Sequence, residues 1–99
     1  MTYIVTVTPE AEEDLLQSFL WYEEQRKGLG HHFMLQIAAA MDLLKRDPHI
    51  HPEEYKGSRK HLIRRFPYKI IYIVESERMT VIAVIHSRRN PALIEERLT

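Results

Sequence analysis

Between Tyr68 and Ser87 lie two runs, Tyr68-Lys69-Ile70-Ile71-Tyr72-Ile73-Val74 and Met79-Thr80-Val81-Ile82-Ala83-Val84-Ile85, that are rich in β-branched and aromatic residues. A strand with one wet face alternates apolar and polar residues, and these runs do not. Tyr68, Ile70, Tyr72 and Val74 would lie on one face against Ile71 and Ile73 on the other, and Ile82 and Val84 against Val81, Ala83 and Ile85. Strands that are apolar on both faces need cover on both sides of their sheet. The remainder of a 99-residue chain, large enough for one modest core, has to supply that cover.

One covering layer is legible. Tyr3 to Thr8 reads as a first strand, after which Thr8-Pro9-Glu10 has the form of a helix start: a capping hydroxyl, proline at the first helical position and an acid in the first turn. Ala11, Leu15, Phe19 and Tyr22, flanked by Leu16 and Leu20, recur at helical spacing, and Trp21 at the edge of that stripe is expected in the core, with a partner contact as the alternative. Gly28 and Gly30 separate this helix from a second, roughly 31–46, with Phe33, Ile37, Ala40, Met41 and Leu44 on one face and Asp47-Pro48 as its stop. The two helices form an antiparallel hairpin. Residues 49–58 read as a loop, strands follow at about 59–65, 68–75 and 79–87, and Asn90-Pro91 opens a short last helix that covers part of the other face. The expectation is an α+β fold in a single domain, 1–99, ordered β-α-α-β-β-β-α, with a helical hairpin packed on a mainly antiparallel four-stranded sheet.

Net charge is zero, but the charges are segregated. Residues 1–25 carry Glu10, Glu12, Glu13, Asp14, Glu23 and Glu24 with no Lys or Arg, whereas 55–72 carry Lys56, Arg59, Lys60, Arg64, Arg65 and Lys69 with no acid. The absence of cysteine excludes disulfides, thiolate metal sites and cysteine nucleophiles. Neither a signal peptide nor a membrane span is evident, so a cytoplasmic protein without membrane association is expected.

Arg59, Lys60, Arg64 and Arg65 with Tyr68 have the makeup of a surface that holds phosphates and stacks bases, or of an edge strand guarded against aggregation. His49-Ile50-His51 with Glu53 and Glu54 places nitrogen and oxygen donors close together, though plain solvation is the expected state and neither metal nor cofactor is called for. In Phe66-Pro67-Tyr68 the proline is expected to set a turn that directs the next strand into the sheet.

Taken in order, Thr8-Pro9-Glu10-Ala11-Glu12-Glu13-Asp14-Leu15, Gly28-Leu29-Gly30, Arg65-Phe66-Pro67-Tyr68-Lys69-Ile70-Ile71-Tyr72 and Val84-Ile85-His86-Ser87-Arg88-Arg89-Asn90-Pro91 resemble the RelE/ParE toxin superfamily over nearly the whole chain, most closely its ParE-like, plasmid-stabilisation branch. The resemblance implies the toxin of a type II toxin–antitoxin pair, neutralised by a cognate protein antitoxin. In that superfamily one branch cleaves mRNA on the ribosome and the ParE branch poisons DNA gyrase. For the first activity the resemblance points to Lys69, Arg88 and Arg89 as cations, with His86 the nearby group suited to acid–base work. The tail from Pro91 to Thr99, however, lacks the tyrosine or histidine that mRNA-cleaving relatives often place there. A gyrase-binding toxin is therefore the expectation, with the ribosome-dependent endoribonuclease and an inactive, antitoxin-binding relative as alternatives.

Register bears on the choice. A two-residue loop at Ser76-Glu77 sets Glu75 against Arg78, pairs Lys69 with Val84 and puts Lys69 and His86 on one face; a three-residue loop pairs Lys69 with Ile85 and puts His86 with Tyr68 on the opposite face. Without Gly or Asn in the loop, the residues leave both open.

Overall fold

The computed structural model describes residues 2–89 and 91–98, and runs β1 (Ile4–Val7), α1 (Pro9–Gln25), α2 (Leu29–Arg46), β2 (Arg59–Leu62), β3 (Tyr68–Glu75), β4 (Arg78–His86) and α3 (Ala92–Leu98). The expected order is present, and Asn90, expected to open the last helix, lies outside the described residues. The segment between α2 and β2 contains two short 3₁₀ turns, Pro48–Ile50 and Tyr55–Gly57. Strand β2 stops at Leu62, short of the expected 65, and Arg65 in the turn that follows has φ +70°.

Thr8 caps α1 as expected: its backbone is extended, its Oγ1 accepts from the Ala11 amide at 3.1 Å, and Pro9 stands at the first helical position. The hairpin turn is built by Glu23, whose carboxylate accepts from the amides of Gly28 and Gly30, each at 2.9 Å, satisfying donors at the start of α2. Those bonds, the Gly28 amide foremost, hold the Glu23 carboxyl below its ordinary range. Its contribution to the turn is thus complete above the usual glutamate pKa and is lost as pH falls through the lowered value. Gly30 is required for closeness: a Cβ there would sit 2.6 Å from the Phe19 carbonyl oxygen.

The sheet order is β1-β4-β3-β2, with β1 parallel to β4 and the other pairs antiparallel. Across the β3–β4 turn Glu75 pairs with Arg78, a two-residue loop with Ser76 at φ +54°. Yet the far end has the other register. Tyr72 opposes Val81 while Ile71 opposes Ala83, so Ile82 is an extra residue, a β-bulge, and beyond it Lys69 pairs with Ile85 and Tyr68 with His86.

The bulge also redistributes the faces of β4. Met79, Val81 and Val84 join Ile70 and Tyr72 beneath the hairpin residues Ala11, Tyr22, Phe33, Ile37, Ala40 and Leu44, whereas Ile82, Ala83 and Ile85 join Ile71 beneath Ile94 of α3. Both layers that the double-faced strands demand are therefore present. Each fully buried large apolar side chain among them stabilises the fold by about 1.5–3 kcal/mol. Tyr72, fully buried at the centre, donates its hydroxyl to the Pro48 carbonyl at 2.8 Å, and burial pushes its pKa up to about 12.

Strand β1 accompanies β4 only as far as Val81. Beyond that point side chains replace a neighbouring strand. The Val84 amide donates to Asp14 Oδ2 at 3.0 Å, Arg97 Nη1 donates to the Ile82 carbonyl at 3.1 Å, and Arg97 also holds Asp14 through both guanidinium nitrogens, Nη2 reaching Oδ1 at 3.0 Å. Both partners are largely buried, so Asp14→Ala strands a guanidinium and an amide. That variant is expected to lose about 3 kcal/mol in urea unfolding, and a change under about 0.5 kcal/mol would show the tie to be dispensable. Gly30→Ala is expected to cost about 1–3 kcal/mol by overpacking against Phe19.

Candidate functional site

The described surface has a cleft of about 470 Å³ where α1 passes over the ends of β3 and β4. Its α1 bank carries Asp14, Gln17, Ser18, Leu20, Trp21 and Glu24; Tyr68, Val84, Ile85, His86 and Arg89 form the floor and opposite bank. The β3–β4 register makes the floor, because it sets Tyr68 directly across from His86. Their rings meet edge-on with centroids 5.7 Å apart.

Tyr68 is held from behind. Its ring also meets Phe33 at 5.1 Å and Tyr22 at 5.9 Å, and Phe66 packs against the same two rings at 5.3 and 4.9 Å. Edge-to-face aromatic pairs contribute about 0.5–1.5 kcal/mol each beyond their buried area. Phe66 and Tyr68 are thus two struts into the core, and between them Pro67 makes the turn: the Tyr68 amide bonds the Phe66 carbonyl at 2.8 Å, and the Pro67 carbonyl accepts from the Ser87 amide at 2.7 Å. Burial, then the neighbouring Tyr68, raise the pKa of Tyr22.

His86 is oriented by its own backbone. The Arg88 amide donates to Nδ1 at 3.1 Å, so a neutral ring carries its proton on Nε2. Arg89, whose amide bonds the His86 carbonyl at 2.9 Å, reaches the same cleft. Tyr68, His86 and Arg89 are therefore brought together, with Arg88 adjacent.

Lys69 is not among them. Paired with Ile85, it lies on the α3 face, is 9% exposed, and donates from Nζ to the Ser87 carbonyl at 3.3 Å. Of the two registers the sequence allowed, this end of the hairpin has the one that turns Lys69 away from His86, and its aliphatic stem is buried with the sheet. The rest of the basic cluster is dispersed. Arg59 bonds the His51 carbonyl and approaches Glu53 at 3.5 Å, and Lys60 approaches Glu54 at 3.5 Å. Arg64 and Arg65 are exposed in the turn after β2.

A correction concerns Trp21, expected in the core and found 54% exposed beside Leu16 and Leu20, which are 49% and 46% exposed. The helix turns Ser18 inward instead, and Trp21 rests edge-on against Tyr22 with centroids 5.0 Å apart. The α1 bank of the cleft was not legible as a site, since no single spacing marks it. A tryptophan beside two leucines on an acid-flanked helix was the available signal.

Three helices and a mixed four-stranded sheet thus frame a cleft with an aromatic floor, acids on its α1 bank and Arg89 on the other. The family described as ParE toxin of type II toxin–antitoxin system, parDE, matches residues 5–91, and the chain belongs to it. No curated protein matches it by sequence. Among solved structures it is similar to the chromosomal ParDE toxin–antitoxin system of P. aeruginosa, with TM-score 0.76 and 16% identity over 86% of this chain and 96% of that one. It is also similar to a mutant of E. coli toxin RelE in the free state, with TM-score 0.63 and 15% identity over the whole of both chains. The toxin–antitoxin complex RelBE2 of Mycobacterium tuberculosis gives TM-score 0.60 and 20% identity over 87% of this chain and 92% of that one.

Two variants separate structure from surface. Lys69→Ala is expected to lower stability by about 1–2 kcal/mol through lost packing, with Lys69→Met recovering most of it, whereas Trp21→Ala is expected to cost about 1 kcal/mol or less in thermal or urea unfolding, the share of its edge contact with Tyr22.

Proposed function

We propose that the chain is a cytoplasmic ParE-type toxin that acts by binding DNA gyrase rather than by cutting RNA, and that its cognate antitoxin docks along the cleft between α1 and the sheet. The observation that carries the reading against nuclease chemistry is the separation of Lys69 from His86: the consecutive β3 residues Tyr68 and Lys69 point to opposite faces, and His86, across from Tyr68, shares its face. Cleavage without a metal needs a base and transition-state cations converging on one phosphate, and in this arrangement Arg88 and Arg89 lie beside the histidine while Lys69 is turned to the other face. Family membership adds support, as does the occurrence of P. aeruginosa ParDE and M. tuberculosis RelBE2 as toxin–antitoxin systems.

Antitoxin docking is supported by the exposed Leu16, Leu20 and Trp21 beside a cleft with polar rims. Aromatic residues at the centre of such a patch carry a large share of binding energy, about 2 kcal/mol or more for a hot spot. Purified protein is expected to inhibit supercoiling by gyrase and to be relieved by the antitoxin, and no inhibition at saturating protein would remove the target assignment. Trp21→Ala is expected to weaken antitoxin binding at least tenfold in calorimetry. Codon-phased mRNA cuts in primer extension after induction would move the chain to the nuclease reading.

A further inference from the structure

The segment joining α2 to β2 is fastened to the sheet by a contact outside the cleft. His51, after the first 3₁₀ turn, and His61, in β2, face each other ring to ring, with Nε2 of the first 2.8 Å from Nδ1 of the second and centroids 5.1 Å apart. Two ring nitrogens at that distance share one proton: one donates and the other offers its lone pair. A neutral pair satisfies this, and so does a pair carrying one positive charge. A doubly protonated pair does not, since both nitrogens then present N–H groups to each other and two cations meet.

The surroundings do little to relieve a second charge. Within β2 the flanking groups are Arg59 and Lys60, both cationic. Arg59 Nη1 bonds the carbonyl of His51 itself, while its Nε is buried without a hydrogen-bond partner among the described residues. On the loop, Glu53 and Glu54 are the available anions, and they face Arg59 and Lys60. From α2 the residues about His61 are Gln36, Ala39, Ala40 and Leu43, none of them charged, and the turn after β2 adds Arg64. On β3, Ile70 pairs with His61 and the titratable neighbour of Arg59 is Tyr72. Burial, and then the charge of His51, already depress the pKa of His61.

We propose that His51 and His61 form a proton-operated latch that holds the 51–58 loop on β2 at neutral pH and releases it when both rings are protonated. The loop is closed on itself by the bond from the Glu54 amide to the Ser58 carbonyl at 2.7 Å and that from the Ser58 amide to the Tyr55 carbonyl at 2.9 Å, and beside the latch Arg59 and Lys60 of β2 hold it through the His51 carbonyl, Glu53 and Glu54. Tyr55 also bonds Glu95 of α3, which raises the tyrosine pKa, so the latch connects to the helix covering the second face of the sheet. The sign follows from the depressed histidine. Where the unfolded chain is protonated and the folded pair is not, unfolding takes up protons, so stability rises with pH. The latch contributes fully above the ordinary imidazole pKa and is lost as pH falls through the lowered value.

Hydrogen exchange of the intact protein at pH 7.5 and pH 5.0, corrected for intrinsic rates, reads the latch at the amides of Glu54 and Ser58. The parent is expected to lose protection there about tenfold or more at the lower pH, which corresponds to about 1.4 kcal/mol, while amides of Ile70 and Val84 stay protected. His61→Gln and His51→Gln, which keep a polar side chain but cannot take a proton, are each expected to abolish that pH dependence. Unchanged protection in the parent, or an equal loss in both variants, would overturn the latch, as would imidazole resonances of His51 and His61 titrating independently at the ordinary value.

Discussion

The carboxylate of Asp14 ties helix α1 to the unpaired end of β4 and to α3. Strand β4 is nine residues long and its parallel neighbour β1 only four, so the backbone of β4 runs on past its partner. Asp14 and Arg97 fill that gap, one accepting from the Val84 amide and the other donating to the Ile82 carbonyl, while they bind each other. Buried ion pairs rarely add stability over a well-packed apolar contact, but breaking one is costly. Here the pair also satisfies backbone groups that no strand reaches. It joins α1, β4 and α3 at one point, and that point forms the inner end of the cleft.

The bulge at Ile82 is the complementary constraint. By inserting one residue it lets β4 serve two layers with different subsets of its side chains, Val81 and Val84 toward the hairpin and Ile82, Ala83 and Ile85 toward α3. It also leaves Tyr68 and His86 on one side and Lys69 on the other. One additional residue in one strand thus sets both the packing of the core and the membership of the site.

The layout of elements was readable because its signals are local: the Thr8-Pro9 cap, the helical spacing of Phe33, Ile37 and Leu44, and the β-branched runs each report on their own few residues. The site was less readable because it depends on register, which local residues did not specify. Ser76-Glu77 correctly suggested a two-residue turn as one option, but nothing in the run from Thr80 to Val84 marks Ile82 as the residue that is skipped. Lys69 stayed a candidate cation because its charge says nothing about which face it occupies. Trp21 looked like core because its spacing relative to Tyr22 leaves its side of the helix undecided, and the inward position went to Ser18 instead. His51 and His61 lie ten residues apart, and only the fold of the intervening loop makes them a pair.

The Asp14–Arg97 bond also has a consequence for biogenesis. Its partners are 83 residues apart, and β1 likewise waits for β4 before it has any neighbour in the sheet. Contacts so distant in sequence form late, because the loop entropy of the whole intervening chain must be overcome before they help. During synthesis the helical hairpin emerges first with its sheet-facing side uncovered. The cleft, whose floor and far bank come from residues 68–89, does not exist until those residues have been made and have paired. Any molecule that recognises the cleft therefore meets it only once β3 and β4 have been made and paired.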